Sequence, residues 1–466
     1  MPLRHDLDTA SLLAGYRSGA FTPRDYMDVM LAYVEACEPK VGALWGYEPD
    51  QARAEADRST ARWRAGAPVG SLDGVPVTVK ELIATKGMRV PMGTAASESA
   101  AATEDSPIAA RLREAGAIIF ARTTVPDYGM LSSGLSSFHT LARNPWDLAT
   151  NPGGSSAGAA SAAAAGYGPL HVGTDIGGSV RLPAAWCGLV GFKPTLGRIP
   201  IDPYYTGRCA GPMTRTVDDA ARMMSVLSLP DSRDATSVRY EPIDWHAPGE
   251  GVAGLRIGLM MEAGCGMALD DEIASAVRDA ARVFEQAGAT VVDVGPVLNR
   301  AMLDGIDDFW RARFWGDMQA LSDERRSRIL PYILQWAQGG ADVNGVAAVK
   351  GFNQTFAMRA ACAACFDGVD VVLSPTTPNL SFPATWASPV NDPARPFEHI
   401  AYTLPWNMGE QPAFSINCGF SRGGTPIGLQ IVTRRFEDLQ AMQLAFWYEQ
   451  QRGPITNWPT IAETAA

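Results

Sequence analysis

The chain has 466 residues, 46% of them apolar and 19% charged, which places it among globular proteins that bury a large core without disulfide or metal staples. A net charge of −11 and the lack of any Lys/Arg cluster argue against a nucleic-acid partner, because gripping a phosphate backbone needs clustered cations. No uncharged apolar run reaches the ~20 residues of a membrane span, MPLRHDLDTASLL carries charges where a signal peptide needs an apolar core, and seven scattered cysteines form no disulfide framework; a cytoplasmic protein with reduced thiols is expected, with no membrane attachment.

In chain order, TPRDYMDVMLAYVEAC reads as a helix, with Thr22 as N-cap, Pro23 at the first helical position and Met27, Met30 and Tyr33 at helical spacing. From about residue 70 the pattern becomes α/β: LDGVPVTVKEL is short and β-branched, RLREAG is helical, and AIIFARTTVP reads as a strand ending at Pro126. Gly- and Ser-rich loops follow from about Asn151 to Ser179, interrupted by the small-residue helix GAASAAAAG. A second α/β passage holds strands in GLRIGLM near 254–260, ATVVDV and VDVVLSP near 369–375, with the helix DDEIASAVRDAARVFEQAG between the first two. GGTPIGLQIV near 423–432 reads as a turn entering a strand. There is no internal repeat, and the alternation predicts one mixed sheet wrapped by helices.

Metal and redox chemistry find little support. Cys362 and Cys365 form a C-x-x-C inside an Ala-rich helical stretch, but no second pair completes a ligand set, and the five histidines lack ligand spacing. No metal and no cofactor are expected.

The candidate chemistry lies in two loops, NPGGSSAG and GTDIGGSVRLP. Neither has the lysine of a phosphate-binding P-loop, and the dinucleotide spacing of glycines is absent. Gly154 to Gly158 satisfies G-x-S-x-G, which would make Ser156 the nucleophile of an α/β-hydrolase-type esterase, yet NPWDLATNP before it is a proline-punctuated loop rather than a strand, and His399 is a weak downstream base. A serine can instead be activated by a neutral lysine. A free lysine pKa of ~10.4 must fall by roughly three to reach neutrality near pH 7, which requires burial and cationic neighbours. Lys80, ending the apolar alternation of GVPVTVKELI, suits that demand; the alternative is a strand-edge lysine with its head in water.

GGSSAG from Gly153 and GTDIGGSVRLPAAWCGLVGFKPT from Gly173 to Thr195 resemble the core motif of the amidase signature family, approximately GGSSGG…GTDxGGSxRxPAxxCGxxGxKPT. DGVPVTVKE at Asp73 to Glu81, RLREAGAIIFARTTVPDYG at 111–129, NPWD at 144–147, GPMTRTVDDA at 211–220 and GTPIGLQIV extend the similarity from about residue 20 to about 450, weakest between 230 and 360. The resemblance implies a single large domain with a mixed twisted sheet covered by helices on both faces. Within it are expected an N-terminal helical region (1–70), the signature core (71–230), a variable α/β and helical region (231–360) and a C-terminal part completing the sheet (361–466). It also implies Ser179 as nucleophile, Ser155 as a bridging serine on a cis peptide, and Lys80 as base. The activity implied is hydrolysis of carboxylic amides, with anilides, esters or carbamates in range, through an acyl-enzyme.

Given those roles, Gly177 and Gly178 let the N–H groups of Ile176, Gly177, Gly178 and Ser179 converge on an oxyanion. Asp175 and Arg181 read as a pair that structures the loop, Ser156 as a supporting residue and Cys187 as a packing residue. Candidate walls for a small-molecule amide are Met130, Tyr205, Trp310, Trp315, Trp406 and Glu410, the acid disfavouring anionic substrates if it faces the pocket. Ala157, where the family usually has Gly, and Glu410 depart from the family pattern. The alternative within the fold is the glutaminase subunit of a tRNA-dependent amidotransferase; otherwise a monomer or homodimer is expected.

Overall fold

The computed structural model describes residues 3–461. Eleven strands join in one sheet: β1 (Leu44–Trp45), β2 (Pro76–Lys80), β3 (Ile118–Thr123), β4 (Leu170–Asp175), β5 (Val190–Lys193), β6 (Cys209–Thr214), β7 (Arg256–Leu259), β8 (Thr290–Asp293), β9 (Val371–Pro375), β10 (Ala413–Phe420) and β11 (Pro426–Thr433). Their order across the sheet is β1-β3-β2-β4-β6-β5-β10-β11-β9-β7-β8. The sheet is mixed: β2 runs parallel to β3 and β4, whereas β4 and β6, β5 and β6, and β5, β10, β11 and β9 pair antiparallel. Every residue of β2, β3, β4, β5, β6, β9 and β11 is buried, a pattern only a sheet covered on both faces produces.

The N-terminal helix forms as its sequence dictates. Thr22 Oγ1 accepts from the Asp25 N–H at 3.1 Å while the Asp25 carboxylate accepts from the Thr22 N–H at 2.9 Å, and the helix Pro23–Val41 runs beyond Cys37 to the left-handed Gly42. The small-residue helix spans Ala157–Ala165 and is buried on every side. The helix Asp271–Gln286 lays Ile273, Val277, Ala280, Ala281 and Phe284 inward.

Two features differ from the sequence expectation. The Gly- and Ser-rich stretch from Asn151 to Ser179, expected as loop around one helix, also contains β4, an interior strand of the sheet; its Gly-Thr-Asp composition hides a strand whose backbone pairs on both sides with β2 and β6. β3 ends at Thr123 rather than Pro126, because Thr124 leaves the ladder to donate its N–H to Ala43 O at 2.9 Å and accept from Gly158 N at 3.0 Å. Cys362 lies on the helix Gly345–Ala364, buried, with its thiol 3.3 Å from Pro405 O.

Candidate active site

Lys80 is the last residue of β2, and its side chain is completely buried. Nζ lies 2.9 Å from Ser155 Oγ, 2.9 Å from Ser156 Oγ and 3.3 Å from Thr174 O. Among the described residues it forms no ion pair with a carboxylate. Burial, followed by the positive charge of Arg208, pushes the amine well below the ordinary lysine pKa against the opposing pull of Asp175 and Glu81.

The serine pair follows a loop pinned by Asn151, whose Oδ1 accepts from the N–H groups of Gly134 (3.0 Å) and Gly153 (2.9 Å) and whose Nδ2 donates to Ser133 Oγ (2.8 Å) and Ala384 O (2.9 Å). The Gly154–Ser155 peptide is cis. Ser156 is completely buried, and its hydroxyl is fully committed: it donates to Thr174 O at 3.2 Å and accepts from Thr174 N at 3.3 Å in addition to meeting Lys80. No histidine touches it. His171 sits between Thr78 Oγ1 (2.8 Å) and Gly168 O (3.1 Å), and His399 is buried without a hydrogen-bond partner among the described residues. Burial holds both imidazoles down at about 3. The geometry therefore opposes the esterase elbow built on Ser156.

The second loop leaves β4 at Asp175. Arg181, wholly buried, donates to Asp175 Oδ2 through Nε and to Oδ1 through Nη2, each at 3.0 Å, and its remaining reach goes to Gln430 Oε1 (2.7 Å) and Asn407 Oδ1 (2.6 Å). The carboxylate also accepts from the N–H groups of Gly178 (2.7 Å) and Val180 (3.1 Å) and from Asn407 Nδ2 (2.9 Å). Burial alone would raise the Asp175 carboxyl; Arg181, with Asn407, holds it well below the usual carboxylate range. With every oxygen engaged, this pair fixes the loop.

Ser179 is half-buried, and its hydroxyl makes no hydrogen bond among the described residues. Its carbonyl accepts from Ser156 N at 3.3 Å, which ties the two loops together. Of the four N–H groups expected to converge on an oxyanion, that of Gly178 turns inward to Asp175. Those of Ile176, Gly177 and Ser179 have no acceptor among the described residues. Gly178 adopts φ +121°, a region closed to most side chains, and a Cβ there would collide with Thr403 Oγ1, which itself donates to Gly177 O at 2.6 Å.

Among the expected walls, Trp310 lies beside this loop: a Cβ on Gly177 would stand 3.2 Å from Ile400 Cδ1 and 3.9 Å from both Leu404 Cδ1 and Trp310 Cη2. Met130 and Trp315 are half-buried against the same apolar cluster, and Tyr205 is half-buried beneath the Arg313 guanidinium, 4.0 Å from its ring centre. Two candidates differ from expectation. Trp406 has no exposed surface and packs against Phe366, so it belongs to the core. Glu410 neither faces a pocket freely nor sits in water: it is buried, with its carboxylate bound by Arg359 at 2.5 Å and Arg435 at 2.7 Å. Cys187 is a core residue whose thiol burial pushes up. Asn407, Gln430, Thr403 and Arg208 are site residues that sequence reasoning does not single out one by one, although Asn407 and Thr403 fall in YTLPWNMGEQPAF (402–414) and Arg208 in PYYTGRC (203–209), stretches that position along the chain marks as candidate walls.

A family model described as amidase matches residues 26–442. The chain belongs to the amidase signature family. As a member it is a hydrolase of carbon–nitrogen bonds. Among curated relatives, a glutamyl-tRNA(Gln) amidotransferase subunit of Myxococcus xanthus (strain DK1622) is 34% identical over 96% of this chain and 97% of its own. The subunit of the same name from Prochlorococcus marinus (strain MIT 9303) is 32% identical over 95% and 96%. Among solved structures, a bacterial aryl acylamidase of the amidase signature family superposes with a TM-score of 0.89 at 28% identity, covering 99% of both chains. The peptide amidase of Stenotrophomonas maltophilia shares the fold at a TM-score of 0.84 and 24% identity, over 98% of this chain and 99% of its own. Among the described residues no helix is long and apolar enough to cross a membrane.

Proposed function

We propose that this amidase signature protein hydrolyses carboxylic amides, arylamides among them, with Ser179 as nucleophile, Ser155 as proton bridge and Lys80 as base. The observation that carries the reading is a lysine with no counter-ion among the described residues, enclosed by protein, 2.9 Å from the Ser155 hydroxyl. Hydrogen-bond accounting supports the direction of proton flow. A neutral amine has two N–H donors and one lone pair. Thr174 O can only accept, and the single proton of Ser156 goes to Thr174 O, so both N–H groups of Lys80 are used by Thr174 and Ser156. The lone pair is left for Ser155, whose oxygen is then free to take a proton from Ser179.

In that arrangement Ser179 Oγ attacks the substrate carbonyl as its proton passes to Ser155 and the Ser155 proton to Lys80. The tetrahedral oxyanion is received by the unpartnered N–H groups of Ile176, Gly177 and Ser179, each such donor being worth ~3–4 kcal/mol. Reversal of the relay protonates the leaving nitrogen, and water then resolves the acyl-enzyme. Trp310, Ile400 and Leu404 beside Gly177 favour an apolar or aromatic substituent near the scissile bond.

A second reading, the ammonia-producing subunit of a tRNA-dependent amidotransferase, rests on the curated relatives. The two separate by substrate. Purified chain is treated with a serine-directed sulfonyl fluoride, and the adduct is located by intact mass and peptide mapping; turnover of acetanilide and of L-glutamine is then compared. Labelling at Ser179 with anilide turnover supports the first reading. Ammonia from glutamine without anilide turnover favours the second, and an adduct at Ser156 overturns both.

A further inference from the structure

Beside the relay stands a cation, Arg208, whose charge bears on Lys80 and whose guanidinium meets no carboxylate among the described residues. β6 starts at Cys209, which pairs with Asp175, so Arg208, one residue earlier, stands alongside Ile176, where the oxyanion loop begins. Its turn is held in place: Arg208 N donates to Tyr205 O at 2.9 Å, and Asn407 Nδ2, which also grips Asp175, donates to Gly207 O at 3.0 Å. Arg208 is half-buried, and the acceptor its guanidinium reaches among the described residues is Pro203 O, 2.6 Å from Nη1. Arg313 lies across Tyr205, 4.0 Å above the ring. Among the described residues neither arginine forms an ion pair. Asp202 attracts Arg208 from an exposed position without reaching its guanidinium within ion-pair distance.

The exposed Arg313 acts on the half-buried Arg208 as a like charge, and an anion received between them relieves that repulsion. Burial and then the Arg313 charge lower Arg208 to about 10, so it remains cationic at neutral pH. The carboxylate that sequence reasoning places against anionic substrates, Glu410, is neutralised by Arg359 and Arg435. In a chain of net charge −11 the Arg208–Arg313 pair is a local reversal of sign at the mouth of the catalytic loop.

We propose that the substrate carries a carboxylate, or an equivalent anionic group, and that Arg208, assisted by Arg313, receives it beside the scissile amide. The inference deepens the amide-hydrolase reading and rests on it. Neighbouring strands lie ~4.8 Å apart, so an anion on Arg208 sits on the order of one or two such spacings from the oxyanion, a span of a few bonds. A dicarboxylic acid mono-amide fits this, with its free acid toward Arg208 and its amine substituent toward Trp310.

The test compares glutaryl p-nitroanilide with the neutral butyryl p-nitroanilide. Wild-type protein is expected to favour the anionic substrate by at least about ten-fold in kcat/KM, as a charge-assisted hydrogen bond provides, and added salt should erode that preference. Arg208→Ala should bring the ratio to about one, Arg208→Lys should retain part of it, and Arg208→Glu should invert it. The ratio is the readout because Arg208 also acts on Lys80, so absolute rates move for both substrates. Arg313→Ala, at an exposed position, should lower the ratio roughly two- to five-fold and serves if Arg208 variants fail to fold. Equal or reversed preference in wild type, or a ratio unmoved by Arg208→Ala and Arg313→Ala, overturns the proposal. If the neutral anilide is turned over and Ser179 is labelled by sulfonyl fluoride, that failure concerns the carboxylate alone; if neither occurs, the amide-hydrolase reading falls as well.

Discussion

Lys80 Nζ stands as close to Ser156 Oγ as to Ser155 Oγ, 2.9 Å in each case. The equality gives the second serine a definite task, since an amine with two hydrogens and one lone pair can be aimed at Ser155 only if something else consumes its hydrogens. A merely supporting Ser156 would make Ser156→Ala mild; the geometry raises that expectation to roughly 10–100-fold in kcat, the cost of losing an acceptor and stranding Thr174 N. Ser179→Ala should abolish turnover, and Ser155→Ala and Lys80→Ala should lower it by about three orders of magnitude or more. Steady-state kinetics on one anilide ranks all four.

The pH dependence follows from the charge state of Lys80. Only the neutral amine accepts a proton, so kcat/KM should rise with pH through the Lys80 titration and level off above it. Burial and Arg208 place that rise well below the free-lysine value of ~10.4. In Arg208→Ala the limb should move to higher pH. Lys80→Arg, which cannot deprotonate, should show no limb at all. A limb near pH ~10 in wild type would remove Lys80 as base.

The role proposed for Lys80 opposes stability. A lysine whose pKa is lowered in the folded state binds fewer protons there than in the unfolded chain, so between the two pKa values stability increases with pH. The isosteric Lys80→Met substitution should therefore raise the thermal midpoint at about pH 7 while abolishing activity, and its advantage should shrink as pH approaches ~10.4. Thermal melts of both proteins from about pH 7 to about pH 10 check the sign.

Asp175→Asn should be among the most damaging single changes, because it leaves Arg181 buried with its charge uncompensated. A loss of ~3–5 kcal/mol is expected, with activity falling as the oxyanion loop loosens. The folded-state pKa of Asp175 is lowered, so its contribution is complete above the unfolded value of ~3.9 and disappears as pH falls through the folded value. Acid-induced unfolding of the variant should accordingly lack that component.

Sequence patterning exposes the parts of this site that local chemistry marks. Lys80 is visible because a charge closing an apolar alternation is anomalous, and the serine loops because glycine crowds around few other residues so densely. The partners that hold those parts are not visible. Asn407 and Gln430 reach Arg181 from the far end of the chain, and an asparagine or glutamine carries no local sign of what it will bind. β4 is hidden because its residues are chosen for close approach and hydrogen bonding rather than for β-branched bulk. Glu410 misleads because the two arginines that neutralise it, Arg359 and Arg435, are brought to it only by folding.

The route of the chain through the Asp175 network governs when activity can first exist. Lys80, Ser155 and Ser179 are all synthesised within the first half of the polypeptide, yet the loop bearing the nucleophile is clamped by Asn407 and Gln430. On the proposed roles, a nascent chain holds every reacting group before that loop is clamped, and competence is expected only once the segment carrying those two amides has docked.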